Sequence, residues 1–275
     1  MDVNTDRHLL NVKLDDVRVI LTMLKTIHFR ESAMVYATDF GLKFTVENHQ
    51  CLQANVFLQK ELFYCYVLKE EQVSFKINLN VFMECLGIFG STLTGQSKTP
   101  SLMMYYDGYG EPLVLTIEEG GIVTNCSIKT MDAEMALNFE FTSLNVENKI
   151  IMKAEGLKEC FNEIDGRSEI IEILMSPDEP LFRMTTYTES GDNHTQISQD
   201  SNYIDSFNCA RTRSYRYKTA LLKPSTRVLP AADKVSIRTD ERGFLSLQFM
   251  INADNIHPSF VEYLCAPDED LSTET

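Results

Sequence analysis

DDVRVILTMLKTIHFRESAMVYATDFGLKFTV, residues 15–46, is the stretch on which the reading of the fold turns. Val17, Ile20, Leu21, Leu24 and Ile27 recur at helical spacing, and Asp15 and Asp16 suit a first helical turn. Arg18, Thr22 and Lys25 follow one another at i, i+4 and i+7, which places two cations on the face opposite the apolar stripe. The pattern then changes period. Ala33–Ala37 and Leu42–Val46 read as strands around a Thr38-Asp39-Phe40-Gly41 turn. A cationic helix thus feeds an antiparallel sheet.

Outward from this stretch the same order continues. Leu52–Leu58, Phe63–Leu68 and Val73–Ile77 are expected strands. Leu79–Phe89 is an expected helix, with Asn78 as its cap and Gly90 near its stop. Leu102–Tyr106, Leu113–Glu118 and Ile122–Ile128 form an expected meander around Asp107-Gly108 and Gly120-Gly121 turns. A second series follows. Ala154–Ile164 is an amphipathic helix, Ile170–Met175 and Phe182–Tyr187 are strands, and Tyr203–Tyr217 is extended. Thr219–Leu222 is a short helix confined by Pro224, and Val235–Arg238, Phe244–Ile251 and Phe260–Cys265 are strands. Landmarks of the first series reappear about 133 to 139 residues later, a spacing that reads as one duplicated domain and not as a solenoid. The expected organisation is a first domain over 1–128, a connector over 129–146, a second domain over 147–267 and an acidic tail over 268–275. In the connector Met131, Leu137, Phe139 and Phe141 alternate with polar residues, as a strip that docks partners or as a last strand and crossing linker.

Composition narrows function. The 275 residues carry 40 acidic and 25 basic side chains, a formal charge of −15, which disfavours a uniformly basic nucleic-acid-binding surface. No apolar run reaches the roughly 18 to 20 residues of a membrane span, and the first residues do not read as a secretory signal. Seven cysteines without a CxxC read as reduced thiols, which places the chain in the cytosol or nucleus. One segment departs from the acidic background. Arg211, Arg213, Arg216, Lys218, Lys223 and Arg227 fall within 211–227 without an acidic residue, and Tyr215 and Tyr217 interleave. This reads as an anion-facing surface with tyrosines for base stacking, or as a strand paired with acidic neighbours.

Catalytic motifs are sparse. There is no phosphate-binding loop, nucleophile elbow or HExxH, the histidines are scattered, and no cofactor is expected. Asp132-Ala133-Glu134 is the one pair from which a two-metal nuclease could be built.

Two halves, each ordered helix–strands–helix–strands in an acidic chain, resemble the DNA sliding clamps typified by PCNA. HFRESAMVYATDFGLKFTVEN (28–48), FKINLNVFMECLGIFGS (75–91), YDGYGEPLVLTIEEGG (106–121), LLKPSTR (221–227), VSIRTDERGFLSLQFMI (235–251) and FVEYLCAPDED (260–270) more closely resemble the Rad-one subunits of nine-one-one DNA-damage checkpoint clamps. The resemblance implies an α+β clamp fold, with two similar domains that each set antiparallel sheets outside two helices. It implies a nuclear heterotrimeric ring with Rad-nine-like and Hus-one-like subunits, placed around double-stranded DNA by a clamp loader, which recruits checkpoint and repair proteins without catalysis. Arg18, Lys25, Lys153, Lys158, Lys223 and Arg227 then face DNA. Met131, Leu137 and Leu264 line a partner groove. Subunits join through edges at about Pro112–Glu118, with Leu113, Leu115 and Ile117, and Asp192–Gln199, with Thr195 and Ile197. Glu84, Gly87, Glu159 and Asn162 stand where PCNA-type clamps carry cations, which speaks against a homotrimer. The alternatives are a metal-dependent 3′–5′ DNA exonuclease and a homotrimeric replication clamp.

Overall fold

The computed structural model describes residues 8–89, 99–198, 200–251 and 258–268. Contacts divide them into two compact units. One is built mainly from 8–46 and 55–136, the other from 47–54, 137–251 and 260–268.

In the first unit, β1 (Leu10–Leu14) leads into α1 (Val17–Ile27). The helix begins two residues later than the acidic pair suggests, because Asp16 is its cap and accepts the Arg18 backbone N–H at 3.0 Å. Val17, Ile20, Met23, Leu24 and Ile27 are buried, while Arg18, Thr22 and Lys25 are exposed. β2 (Ser32–Thr38), β3 (Gly41–Asn48), β4 (Leu52–Gln59), β5 (Cys65–Leu68) and β6 (Gln72–Asn78) follow. Gly41 turns the first hairpin at φ +131°, where a Cβ would lie 2.1 Å from the Leu58 carbonyl oxygen, so glycine alone fits.

α2 (Leu79–Leu86) starts at Asn78, whose Oδ1 accepts the Val81 N–H at 3.0 Å. It is shorter than the periodicity predicts. Gly87 ends it, donating its N–H to the Met83 carbonyl at 3.0 Å, and glycine is a poor helix former. Gly90, the expected stop, lies outside the described residues. β7 (Ser101–Tyr106), β8 (Leu113–Glu119), β9 (Ile122–Ile128) and β10 (Thr130–Met131) complete the unit. One antiparallel sheet has the order β5-β1-β7-β8-β9, and a second layer runs β10-β6-β2-β3-β4.

The second unit opens with β11 (Val146–Lys153) and α3 (Ala154–Asn162). β12 (Ile170–Met175), β13 (Phe182–Thr188), β14 (Gly191–Ile197), β15 (Ile204–Cys209) and β16 (Arg213–Lys218) come next. α4 (Thr219–Leu222) runs into 3₁₀ turns over Lys223–Arg227 and Leu229–Ala231. β17 (Lys234–Asp240), β18 (Leu245–Ile251) and β19 (Ser259–Cys265) follow. Here the sheet orders are β14-β13-β12-β16 and β19-β18-β17-β11-β15. The expected extended segment 203–217 is two strands in different sheets. Buried Asn148 holds the corner between them: its amide donates to the Arg211 carbonyl and accepts the Ala210 N–H, each at 3.0 Å.

β1 and β11 are absent from the sequence expectations, although each is paired on both sides. The unit boundaries also differ from the expected contiguous spans. The connector divides between Ala136 and Leu137, and 47–54 belongs with the second unit. There the Leu137 backbone N–H donates to Glu47 at 2.9 Å, its carbonyl accepts from Gln53 at 2.9 Å, and Ala266 N–H donates to the Cys51 carbonyl at 2.8 Å. Hydrogen bonds between distant residues set that border. Of the expected tail, residues 269–275 lie outside the described residues.

Candidate functional site

The helices determine which of the expected cations are exposed. On α1, Lys25 is exposed and unpaired by any acid among the described residues. Arg18 is not equivalent to it. Asp16 grips its guanidinium with Oδ1 at 2.8 Å from Nε and Oδ2 at 2.7 Å from the terminal nitrogen. Burial raises the Asp16 pKa, but the Arg18 hydrogen bonds and charge outweigh it and hold the carboxyl below its ordinary value. α1 therefore offers less net charge than its sequence suggests. α2 exposes Val81 and Glu84, with no cation among its residues, and Ile88 is exposed just after it. α3 exposes Lys158 among Glu155, Glu159 and Glu163, with Lys153 just before its first turn. Lys223 and Arg227 are exposed at either end of the turn after α4.

The basic segment 211–227 resolves largely into a strand paired with acidic neighbours. On β16, Arg213 binds Glu147 at 2.9 Å and Arg216 binds Glu172 at 2.9 Å. Lys218 stands 3.8 Å from Asp268. Glu172 also accepts from Ser214 and Tyr187, each at 2.8 Å. Burial pushes its carboxyl up, yet the donors, Arg216 foremost, bring it below the usual range. Tyr217 is fully buried and donates to the Gly243 carbonyl at 2.8 Å, and Tyr215 donates to the Glu241 carbonyl at 3.0 Å. Burial closes the Tyr217 ring to base stacking, and the Tyr215 hydroxyl is engaged within the fold.

The residues expected to meet partners differ in exposure. Phe139 is buried against Phe244, ring centres 5.4 Å apart, and the Phe141 ring lies 5.7 Å from the Arg238 guanidinium. These two aromatics pin the connector instead of extending from it. Leu137 is half-buried with both backbone groups bonded, and Met131 is exposed on β10. Leu264 is 91 % covered within β19, so a charge there disrupts the unit itself. Sequence reasoning missed a cavity of about 420 Å³ in the second unit, lined by His49, Gln50, Cys51, Leu221, Phe244 and Pro267 among others. Its wall is the β3–β4 turn, where His49 and Gln50 take φ 47° and 60°. No local motif announces it, because its residues come from four separated segments.

One expected edge is corrected. β8, which holds Leu113, Leu115 and Ile117, is hydrogen-bonded to β7 and to β9, and these three side chains are buried. A strand bonded on both sides has no free groups for a neighbouring chain. On that side the sheet ends at β9, with Ile122 and Val123 exposed, and β5 is its other edge. β14 is an edge strand of its sheet, with Thr195 half-buried and Ile197 buried; Gln199 lies outside the described residues. The Asp132–Glu134 pair is not convergent. Tyr109 donates to Asp132 at 3.1 Å, and Glu134 binds Lys76 at 2.6 Å. Among the described residues no group of three or more His, Cys, Asp or Glu side chains could hold a metal ion.

Comparison with known proteins adds to this geometry. The pattern of the family described as "Repair protein Rad1/Rec1/Rad17" matches residues 9–251. The chain is 50 % identical over 266 residues to the human Cell cycle checkpoint protein RAD1, covering 97 % of this chain and 94 % of that one. It is 49 % identical over 266 residues to the mouse protein of the same name, covering 97 % and 95 %. A more distant relative, the DNA repair exonuclease REC1 of Mycosarcoma maydis, is 23 % identical over 246 residues, covering 69 % of this chain and 51 % of that one. Among solved structures, PCNA from Thermococcus kodakaraensis superposes with a TM-score of 0.75 at 18 % identity, covering 94 % of this chain and all of that one.

Proposed function

The chain belongs to the Rad1/Rec1/Rad17 family of repair proteins and has the PCNA-like clamp fold, and from that premise we propose that it is one subunit of a heterotrimeric checkpoint ring. The ring encircles double-stranded DNA in the nucleus, is placed there by a clamp loader, and recruits signalling and repair proteins without catalysing a reaction. A ring retains DNA by topology, so its hole needs only cations that offset phosphate charge without reading sequence. Lys25, Lys153, Lys158, Lys223 and Arg227 are assigned that task, with Arg18 held back by Asp16. The assembly joins β9 of one subunit to the β14-type edge of the next, in place of the buried β8. Met131 and Leu137 are each assigned to contact partners.

The observation that carries the heterotrimer is the exposed face of α2, with Val81 and Glu84 and no cation. Three copies of that face would meet phosphate with acid, so partners of different sequence must supply the missing charge. Light scattering tests this. The chain alone is expected at about 31 kDa, and as a 1:1:1 complex with Rad-nine-like and Hus-one-like chains. A stable homotrimer, or indifference to both partners, overturns the reading.

The exonuclease alternative draws on the name of the Mycosarcoma relative. Metal-dependent digestion of DNA by the pure chain, lost in an Asp132→Ala, Glu134→Ala variant, would revive it.

A further inference from the structure

A cleft between α3 and the turns after α4 has a lining that phosphate contact alone does not explain. It encloses about 320 Å³, at the lower end of the size range of small-molecule sites. Phe161, Ile171 and Leu229 supply an apolar floor, and Lys158 and Lys223 belong to its polar rim. No aspartate or glutamate lines it, in a chain with 40 of them. Both lysines are exposed, and neither has an ion pair among the described residues. Thr219, also on the lining, keeps a buried hydroxyl with no hydrogen-bond partner.

These groups define a ligand by elimination. Inorganic phosphate would satisfy the lysines and leave the floor uncovered. A hydrocarbon would cover the floor and leave two ammonium groups and a hydroxyl unanswered. A flat heterocycle with polar edges and a phosphate on either side answers all three. We propose that this cleft receives one unstacked base of single-stranded DNA, with Lys158 and Lys223 on the flanking phosphates, Phe161 against the base and the Thr219 hydroxyl on its edge. The inference rests on the reading that DNA passes this subunit. It adds a discrimination that a smooth hole lacks, because a base in a duplex reaches the cleft only after losing its pairing and stacking.

The chain contains no tryptophan, so Phe161→Trp places a single indole in the cleft. Titration with a twelve-residue oligothymidylate is expected to quench its emission, while an abasic oligomer of equal length and a duplex leave it unchanged. Adding Lys158→Glu and Lys223→Glu should raise the half-saturating concentration about tenfold or more. Equal quenching by the abasic oligomer, equal quenching by duplex, or none by any probe overturns the proposal. If circular dichroism shows that the tryptophan variant does not fold, anisotropy of the same labelled oligomers on the unaltered chain decides by the same criterion. Assembly with partners but no quenching removes this inference alone, whereas quenching without assembly removes the clamp reading.

Discussion

Glu172 gathers an arginine, a serine and a tyrosine on one carboxylate, and it makes the behaviour of β16 dependent on pH. Its carboxyl titrates below the ordinary range in the folded chain, so its contribution is present above about pH 4.3, the usual value for an unfolded glutamate, and is lost as pH falls through the folded value. Glu172→Gln is therefore expected to lower stability on the order of 1 kcal/mol at pH 7, with the gap to the unaltered chain closing as the solution is acidified below about pH 4. Paired denaturant titrations across pH 3 to 7 measure it, and a gap independent of pH would refute the assignment. The sequence showed the cations of β16 plainly. It could not show that Glu147 and Glu172 stand opposite them, since those acids lie 66 and 44 residues away.

At the scale of elements, the helices were nearly all visible because a 3.6-residue period is a local property. Their ends were less so: Asp16 and Gly87 set two of them through single hydrogen bonds. Strand neighbours were the least visible. β8 and β9 look alike as apolar runs, and only the pairing shows that β9 is the edge. Lysine in place of Ile122 and Val123, both exposed on β9, is expected to weaken ring assembly at least about tenfold while leaving the thermal midpoint of the lone chain within about 2 °C. Sedimentation of the mixed subunits and a melting curve of the single one measure the two effects. A midpoint that drops with assembly would show that β9 supports the fold and not the interface.

For the whole molecule, the formal charge of −15 and a DNA-encircling role are compatible because only a few cations need to meet phosphate. The five cations assigned to the hole set a limit. The logarithm of duplex affinity should fall against the logarithm of salt with a slope no steeper than about −4.5. Asp16→Asn keeps the helix cap and releases Arg18, so it should steepen the slope by about 0.9. Binding isotherms at several salt concentrations give both numbers; a slope near −9 would mean that cations outside this set carry the contact.

The sequence by itself determined the duplicated α+β architecture, the family, the cationic face of α1 and the poverty of charge on α2. Each of these is written in local periodicity or in residue identity along one stretch. Tertiary structure alone decided which cations are spent on internal pairs, which strand is an edge, where the two units divide, and which distant segments close into a cavity. Those outcomes depend on contacts between residues tens to hundreds of positions apart. The side chains that make them, a glutamate facing an arginine or a phenylalanine against a phenylalanine, carry no local mark of the partner they will meet.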